Sequence, residues 1–486
     1  EDFGIAEIKK FSTSSLITRT TNDVTQIEMF LAMGIQLMFR APIMAIWALS
    51  KIIGKSAQWT LITALGVVIL LSVVITLMII VVPKFKVVQK LVDKINDVTR
   101  ENLTGIRVIR AFNAEEFEKE RFESVNGKLT GIQLFTQRMF AIMNPVMSIV
   151  MHFLTLGIYF IGAITISNAA MADKIDLFSN MVVFSSYAMQ VIMSFLMLTI
   201  IFMILPRASV SAKRINEILE TESTIKDGSK DKGIDDVKGV IEFNGVSFKY
   251  PDADEYLIED ITFKVNTGEV VAIIGSTGSG KSTLINLIPR FYDVTDGEIL
   301  VDGVNVKNYK LHALHDKIGY VSQKAFMFDG TVLSNVSYGL DNEDLDKVKQ
   351  SIEIAQATEF VTNMEGEYEA HIARGGTNIS GGQKQRLSIA RAIAKNPEIY
   401  IFDDSFSALD YKTDSNLRRE LRNNAKDATM IIVAQRIGTI LNADKIIVLD
   451  KGKCVGMGTH KELLSNCEVY KEIAYSQLSK EELENA

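Results

Sequence analysis

The spacing of apolar residues divides the chain into two unlike halves. Before residue 207 the apolar residues form long runs with few charges, whereas after it short apolar runs alternate with polar segments. A helix needs roughly 20 apolar residues to cross a bilayer. The segments that meet or approach this length are residues 29–50, 59–83, 139–172 and 177–206. We therefore predict four membrane-spanning helices, of which the first is the weakest because Arg40 and Pro42 interrupt it.

Basic residues are concentrated between the second and third predicted spans, and this bias sets the orientation. Because basic loops stay on the cytoplasmic side, this segment, the amino-terminal segment and everything after residue 206 are predicted to be cytosolic. Residues 85–128 have helical spacing, with Gly105 as the only internal break. We predict two helices that continue out of the membrane and are joined by a short transverse piece near 102–112; a solvated charged loop is the alternative.

Composition narrows the choice of partners. The chain has 52 Lys and Arg against 59 Asp and Glu, a net charge of −7, so nothing indicates nucleic acid as a partner. Its two cysteines, Cys454 and Cys467, both lie in the second half, which fits a reducing cytosol.

A polar stretch at residues 220–236 has the composition of a linker. After it, alternating strand-like and helical runs predict an α/β domain with a mainly parallel sheet.

One junction of this domain carries phosphate chemistry. A predicted buried strand, 270–274, is followed by a glycine-rich loop and a helix predicted to begin near Thr283. The loop fits the phosphate-loop pattern with Gly275, Ser276, Thr277, Gly278, Ser279, Gly280, Lys281, Ser282 and Thr283. Its backbone N–H groups can surround phosphate oxygens, Lys281 can reach the β and γ phosphates, and Ser282 can ligate Mg²⁺. A glycine-rich turn without function is the alternative.

Further motifs extend the chemistry. A second predicted strand, 398–402, ends at Asp403, which is placed to hold Mg²⁺ through water, and Asp404. Between the two junctions, and just before a predicted helical run at 387–395, residues 378–386 read Asn-Ile-Ser-Gly-Gly-Gln-Lys-Gln-Arg. This segment resembles the signature motif of the ATP-binding cassette (ABC) family. The resemblance implies that Ser380, Gly381, Gly382 and Gln383 contact ATP held by the phosphate loop of another subunit.

Other positions match the family in order. Tyr250 resembles the aromatic residue that stacks on adenine, Gln323 the lid glutamine that senses Mg²⁺ and the γ-phosphate, and Asp410 the end of the D-loop. Residues 15–23 and 101–112 look like the intracellular loops that bear coupling helices. The resemblance implies an exporter-type, domain-swapped transmembrane domain of six helices per half. Only four are found, so we expect the family's first two spans to be missing ahead of Glu1.

The predicted organisation is a transmembrane domain at 1–219, a linker at 220–236 and a P-loop nucleotide-binding domain at 237–486. The cofactors are ATP and Mg²⁺. The protein is expected in the cell membrane as a multi-pass protein with a cytoplasmic nucleotide-binding domain. A soluble ATPase acting on nucleic acid is excluded by the four spans.

Two positions depart from the family pattern. Asp404 stands where active members have glutamate. Because aspartate is one methylene shorter, its carboxylate is withdrawn by about 1.5 Å, and misplacement of a catalytic group by about 1 Å can lower a rate roughly a hundredfold. Gln435 stands where the family has a switch histidine, and an amide cannot carry the proton that imidazole can. We therefore predict a site, with Asp404, Gln435 and Gln323 in the catalytic positions, that binds ATP and hydrolyses it slowly.

The intact signature points to a partner. Ser380 and Gly382 would complete an active site built on a second half-transporter, while Lys281 and Asp403 would serve the degenerate site. The predicted function is ATP-driven export of hydrophobic or amphiphilic compounds by a heterodimer in contact with membrane lipid. A homodimeric exporter of lipid or peptide with slow hydrolysis and an ATP-gated channel of the same fold are the alternatives.

Overall fold

The computed structural model describes residues 3–478. Contacts between residues divide it into two units. One unit is helical and consists of Ser14–Thr221. The other combines the short segment before Ser14 with the described chain from Glu222 onward, and it contains all of the strands.

The helical unit is built from a few very long helices. Its helices, preceded in the chain by α1 (Ile5–Phe11), are α2 (Thr13–Thr18), α3 (Val24–Met29), α4 (Ile35–Ile52), α5 (Ala57–Thr104), α6 (Ile106–Ala111), α7 (Glu115–Ser167) and α8 (Lys174–Leu219). Two π-helical turns, Arg19–Asp23 and Phe30–Gly34, join α2, α3 and α4 into one helical run. A 3₁₀ turn, Met171–Asp173, precedes α8.

Four helical segments are long and apolar enough to cross a membrane, which confirms the four predicted spans. They are Ser15–Ile52, Ala57–Val81, Glu115–Ser167 and Met171–Leu198. At about 1.5 Å per residue, α5 with 48 residues and α7 with 53 far exceed the roughly 30 Å of hydrocarbon in a bilayer. The short helix α6 joins them, so the prediction of two protruding helices connected by a short piece is confirmed.

Small side chains allow the spanning helices to approach one another. On α4, which packs against α8, the buried residues Ala41, Ala45 and Ala48 recur at helical spacing. A Cβ atom at Gly162 would overlap the Met181 side chain, so glycine allows this close contact without a shift of Met181. Between 17% and 39% of the residues in the four apolar windows are buried, which leaves a large apolar surface for lipid and for neighbouring helices.

The second unit is an α/β domain with many short elements. Its strands are β1 (Ile241–Phe248), β2 (Ile258–Val265), β3 (Val270–Gly275), β4 (Asp296–Val301), β5 (Val304–Asn305), β6 (Ile318–Val321), β7 (Gly330–Thr331), β8 (His371–Ile372), β9 (Ile399–Asp403), β10 (Thr429–Val433), β11 (Lys445–Asp450) and β12 (Lys453–Gly458). Its helices after α8 are α9 (Lys281–Asn286), α10 (Leu311–Asp316), α11 (Val332–Val336), α12 (Leu345–Ile354), α13 (Thr358–Thr362), α14 (Gly381–Ala394), α15 (Tyr411–Asn424), α16 (Ile437–Ile440), α17 (His460–Asn466) and α18 (Glu468–Gln477).

The largest sheet has six strands in the order β12-β11-β3-β10-β9-β6. All of its pairings are parallel except that of β12. Alternate residues of β3 face opposite sides, so that Ala272 enters one apolar core and Val271 and Ile273 enter the other. Burial on both faces explains why β3, β9 and β10 are nearly continuous apolar runs. A separate antiparallel sheet has the order β2-β1-β4-β5.

The segment predicted as a linker contains no regular helix or strand, and part of it is attached to the α/β domain. Lys230 forms an isolated bridge with Tyr309. The Arg290 guanidinium donates to the carbonyl oxygen of Lys226 at 2.9 Å. These contacts hold the segment along one edge of the domain.

Candidate nucleotide site

Four parallel strands end at one edge of the large sheet, and each is followed by a predicted site residue. In the register of the sheet, Val433 of β10 pairs with Ile273 of β3 on one side and with Asp403 of β9 on the other. The phosphate loop follows β3, Asp404 follows β9, and Gln435 and Gln323 follow β10 and β6. Ligands of open α/β sheets bind at this carboxyl edge. The fold therefore brings these predicted residues together.

Glycines determine the shape of the phosphate loop. Gly278 and Gly280 have φ angles of 83° and 95°, in the left-handed region that side chains disfavour. A Cβ atom at Gly275 would lie 2.1 Å from the carbonyl oxygen of Leu449. Gly280 caps α9, and its carbonyl accepts the N–H of Leu284 at 2.9 Å. The helix therefore begins at Lys281, slightly before the start near Thr283 that the sequence predicts.

Polar groups of the loop are available for phosphate. The Lys281 ammonium donates to the carbonyl oxygens of Gly275 and Ser276, each at 2.8 Å. Burial lowers the pKa of Lys281, and the nearby carboxylates of Asp404 and Asp403 oppose this shift. The Ser279 hydroxyl is buried and has no hydrogen-bond partner within the described residues. Ser276, Thr277 and Gly278 are exposed at the loop surface. An unsatisfied buried donor beside a lysine fits a phosphate ligand.

The residues predicted to hold Mg²⁺ lie next to one another. The Ser282 hydroxyl donates to Oδ1 of Asp403 at 2.9 Å. Mg²⁺ is usually held by one or two protein oxygens together with substrate phosphates and water, and this pair fits that requirement. Within residues 3–478 there is no cluster of three or more His, Cys, Asp or Glu side chains that could form a separate metal cage. When bound, Mg²⁺ would compensate the charge of the phosphates.

Replacing Asp403 with asparagine is expected to separate stability from metal binding. Burial raises the pKa of Asp403, with Asp404 adding to the shift, while Ser282 and Lys281 oppose it. A carboxyl whose pKa is raised by folding lowers stability once pH exceeds its unfolded pKa. Asp403→Asn should therefore raise the melting temperature at pH 7 without nucleotide, and this gain should disappear at acidic pH. The same variant should lose the Mg²⁺ enhancement of ATP binding; a lower melting temperature at pH 7 would contradict the prediction.

The Asp404 carboxylate is held by two amides. Gln435 donates from Nε2 to Oδ2 of Asp404 at 2.6 Å, and Gln323 donates to the same oxygen at 3.2 Å. The backbone of Asp404 has a φ of 46°, and its N–H donates to the carbonyl of Val433 at 3.0 Å. Backbone and side chain are thus both fixed. Gln323, predicted to sense Mg²⁺, contacts Asp404 instead of the Ser282–Asp403 pair.

Tyr250 lies beside the phosphate loop. Its hydroxyl is 3.1 Å from the Thr283 hydroxyl, and its ring contacts Tyr292 edge-on. The Lys9 ammonium of α1 lies 5.3 Å from the centre of the Tyr250 ring. The neighbouring Tyr292 hydroxyl raises the pKa of Lys9. The sequence did not single out Lys9, because this contact joins residues more than two hundred positions apart.

The signature residues form the start of α14. Ser380 caps the helix: its hydroxyl accepts the Gln383 N–H at 3.3 Å, and the Gln383 side chain accepts the Ser380 N–H at 2.8 Å. This capping box explains why the helix begins at Gly381, earlier than the helical run from residue 387 that the sequence predicts. Ser380 and Gly381 are exposed, and a Cβ atom at Gly381 would meet nothing within 4 Å, while one at Gly382 would lie 3.3 Å from the Ala408 carbonyl.

Among the described residues, no hydrogen bond or ion pair joins the signature, residues 380–383, to the phosphate loop, residues 275–283. Asp410, at the end of the D-loop, caps α15 by accepting the Thr413 N–H at 3.0 Å. The exposed signature is thus free to contact a second molecule.

Comparison with known proteins identifies the two halves. Residues 4–215 match the ABC transporter transmembrane region, and residues 258–407 match the ABC transporter domain. An uncharacterized ABC transporter ATP-binding protein of Mycobacterium tuberculosis is 39% identical over 479 residues, covering 98% of this chain and 81% of that protein. A Bacillus subtilis protein named for multidrug export is 31% identical over 485 residues, covering 95% of this chain and 79% of that protein.

A solved structure shares the fold. It is a bacterial Atm1-family ABC exporter with ATP bound, 25% identical in sequence, with a TM-score of 0.76. The match covers 96% of this chain and 80% of that chain. The helical unit and the α/β domain therefore together correspond to the architecture of an exporter half.

Proposed function

The chain belongs to the ABC transporter family as an exporter-type half-transporter, and from that premise we propose that it provides the slowly hydrolysing ATP site of a heterodimeric exporter of hydrophobic or amphiphilic compounds. It is a multi-pass membrane protein with a cytoplasmic nucleotide-binding domain. Its family couples ATP hydrolysis to transport and works as dimers. The slow hydrolysis and the heterodimer are inferred from the geometry of the nucleotide site.

The observation that carries the proposal is the position of Asp404 between two amide donors. Hydrolysis needs a group that accepts a proton from the attacking water. Here Oδ2 of the short carboxylate already accepts hydrogen bonds from Gln435 and Gln323. Neither amide can take up a proton itself. The pocket is therefore suited to binding ATP, through Lys281 and the phosphate loop, and poorly suited to splitting it.

The signature motif supports the heterodimer, which is the second part of the proposal. Ser380, Gly381 and Gly382 form an exposed helix start whose N–H groups and partial positive charge suit a phosphate of another molecule. A partner that carries a complete base and switch histidine would supply the fast site. Closing of the two cassettes would then alternate the access of the membrane cavity, and hydrolysis at the fast site would reset it.

The cargo assignment rests on the spans and on one relative. The membrane helices expose many apolar side chains, including methionines and phenylalanines, and such surfaces suit varied apolar ligands. One relative is named for multidrug export. Both features favour amphiphilic small molecules over a single polar substrate.

Nucleotide retention tests the asymmetric site. In the purified transporter in lipid, photoactivatable radiolabelled ATP is chased with unlabelled ATP for one turnover and then cross-linked. We expect label to remain on this subunit and to leave the other. Rapid and equal exchange at both sites would contradict the proposal. Brisk ATP hydrolysis by this chain purified alone, lost on Asp404→Asn, would favour a homodimer instead.

A further inference from the structure

The last described helix of the chain, α18, is hydrogen-bonded to residues 435–437 of the nucleotide site, which we call the switch segment. The Gln477 side chain accepts the N–H of Ile437 through Oε1 at 2.8 Å. It also donates through Nε2 to the carbonyl oxygen of Gln435 at 2.8 Å. One amide therefore binds the backbone on both sides of Arg436.

Packing of α18 holds this amide in place. Tyr470 and Ala474 are both fully buried, and with Gln477 they recur at the spacing of one helix face. Nδ1 of the buried His460 lies 2.7 Å from the Tyr470 hydroxyl. The helix contacts α16, β11 and β3, so its carboxyl end is fixed relative to the strands that carry the site.

Three residues, Gln477, Asp404 and Ser407, hold the switch segment. Its backbone at Gln435 and Ile437 is bound by Gln477, while the side chain of Gln435 donates to Asp404 at 2.6 Å. The Arg436 guanidinium donates to the Ser407 carbonyl at 3.0 Å, on the D-loop side. A loop held at three points has little freedom to move the Gln435 amide away from Asp404.

We propose that Gln477 is a positioning residue of the nucleotide site: by bracketing the backbone around Arg436, it keeps the Gln435 amide against Asp404 and slows the release of bound ATP. The inference rests on the proposed function, because retention of ATP is a property of the slow site. Gln477 does not itself contact the nucleotide and acts through Gln435. Since Gln435 and Asp404 belong to the γ-phosphate end of the site, ATP should be affected and ADP should not.

Three variants of α18 separate the contributions of the two Gln477 hydrogen bonds from that of side-chain packing. Gln477→Met keeps the length and packing of the side chain but loses both hydrogen bonds. Gln477→Glu keeps an acceptor for the Ile437 N–H and loses the donor to Gln435. Ser476→Ala is the matched control, because the Ser476 hydroxyl bonds only within the helix, to the carbonyl of Ile473.

Two measurements are made on the full chain in its assembled transporter. Amide hydrogen exchange is followed in peptides covering residues 435–440, and dissociation of fluorescent ATP and ADP analogues is followed from this subunit. For Gln477→Met we expect exchange to increase about tenfold and ATP release to accelerate about three- to tenfold, the change that an ordinary hydrogen bond supports. Gln477→Glu should keep Ile437 protected and release ATP at an intermediate rate, and Ser476→Ala should match the original protein.

The possible results test the role of Gln477 separately from the proposed slow ATP site. Unchanged exchange and unchanged ATP release in Gln477→Met would overturn the role of Gln477. Equal acceleration of ATP and ADP release, or a lower melting temperature as the only effect, would also overturn it, because a general structural role predicts these results. If the original protein retains no ATP, the proposed slow site fails, while increased exchange at 435–440 would still show that Gln477 holds the switch segment.

Discussion

Replacing Gly381 with aspartate is expected to lower ATP turnover by the assembled transporter at least about a hundredfold, the scale on which loss of one transition-state donor acts. Gly381 is exposed, has no positive φ, and offers open space to a side chain within this chain. The variant should therefore fold normally. In the assembled pump, however, the new carboxylate would lie at a helix start that the proposal places against the partner's bound phosphate, where it would repel negative charge.

Gly339→Asp is the matched control for this experiment. Gly339 is also exposed, and a Cβ atom there would make only ordinary contact with the Lys395 side chain at 3.7 Å. The control should keep full turnover. ATP hydrolysis is measured in proteoliposomes, and melting temperatures check that both variants fold. Full turnover in Gly381→Asp would mean that this signature completes no active site.

Introducing the glutamate and histidine that the family has at positions 404 and 435 is expected to raise ATP hydrolysis at the proposed slow site. The double variant Asp404→Glu, Gln435→His should raise hydrolysis at this chain's own site by about a hundredfold, which is the loss expected from a carboxylate misplaced by about 1 Å. Each single variant should gain less than about tenfold, because residues that act as a unit are strongly non-additive. With Asp404→Glu alone, the amide of Gln435 can still hold the carboxylate, and no imidazole is available.

The measurement must isolate one of the two sites. Single-turnover hydrolysis is followed in transporters whose partner carries glutamine in place of its catalytic carboxylate. Lys281→Met added to the double variant is the control, and it should abolish the gain because the phosphate loop then lacks its cation. A gain from Asp404→Glu alone as large as that of the double variant would show that the glutamine at position 435 does not limit the site.

Much of the architecture could be predicted from local patterns. The four spans follow from runs of apolar residues, since a segment of about 20 residues with few or no charges is long enough to cross the hydrocarbon of a bilayer as a helix. The strand before the phosphate loop and the strand before Asp403 were predicted within about a residue, because buried parallel strands are short continuous apolar runs. Helix starts were less accurate: those of α9 and α14 depend on a left-handed glycine and on a capping box.

The sequence by itself determined which chemical groups the nucleotide site contains, because a strand, a glycine-rich loop and the residues after them are local features. It therefore established that position 404 carries a short carboxylate and position 435 an amide. Only the tertiary structure decided that Gln435 and Gln323 both bind the same oxygen of Asp404, and that Gln477 binds the backbone of the switch segment. Such contacts join residues tens of positions apart, and the parallel register of β6, β9, β10 and β3, together with the docking of α18, creates them. No pattern along the chain encodes a distance between two strand ends.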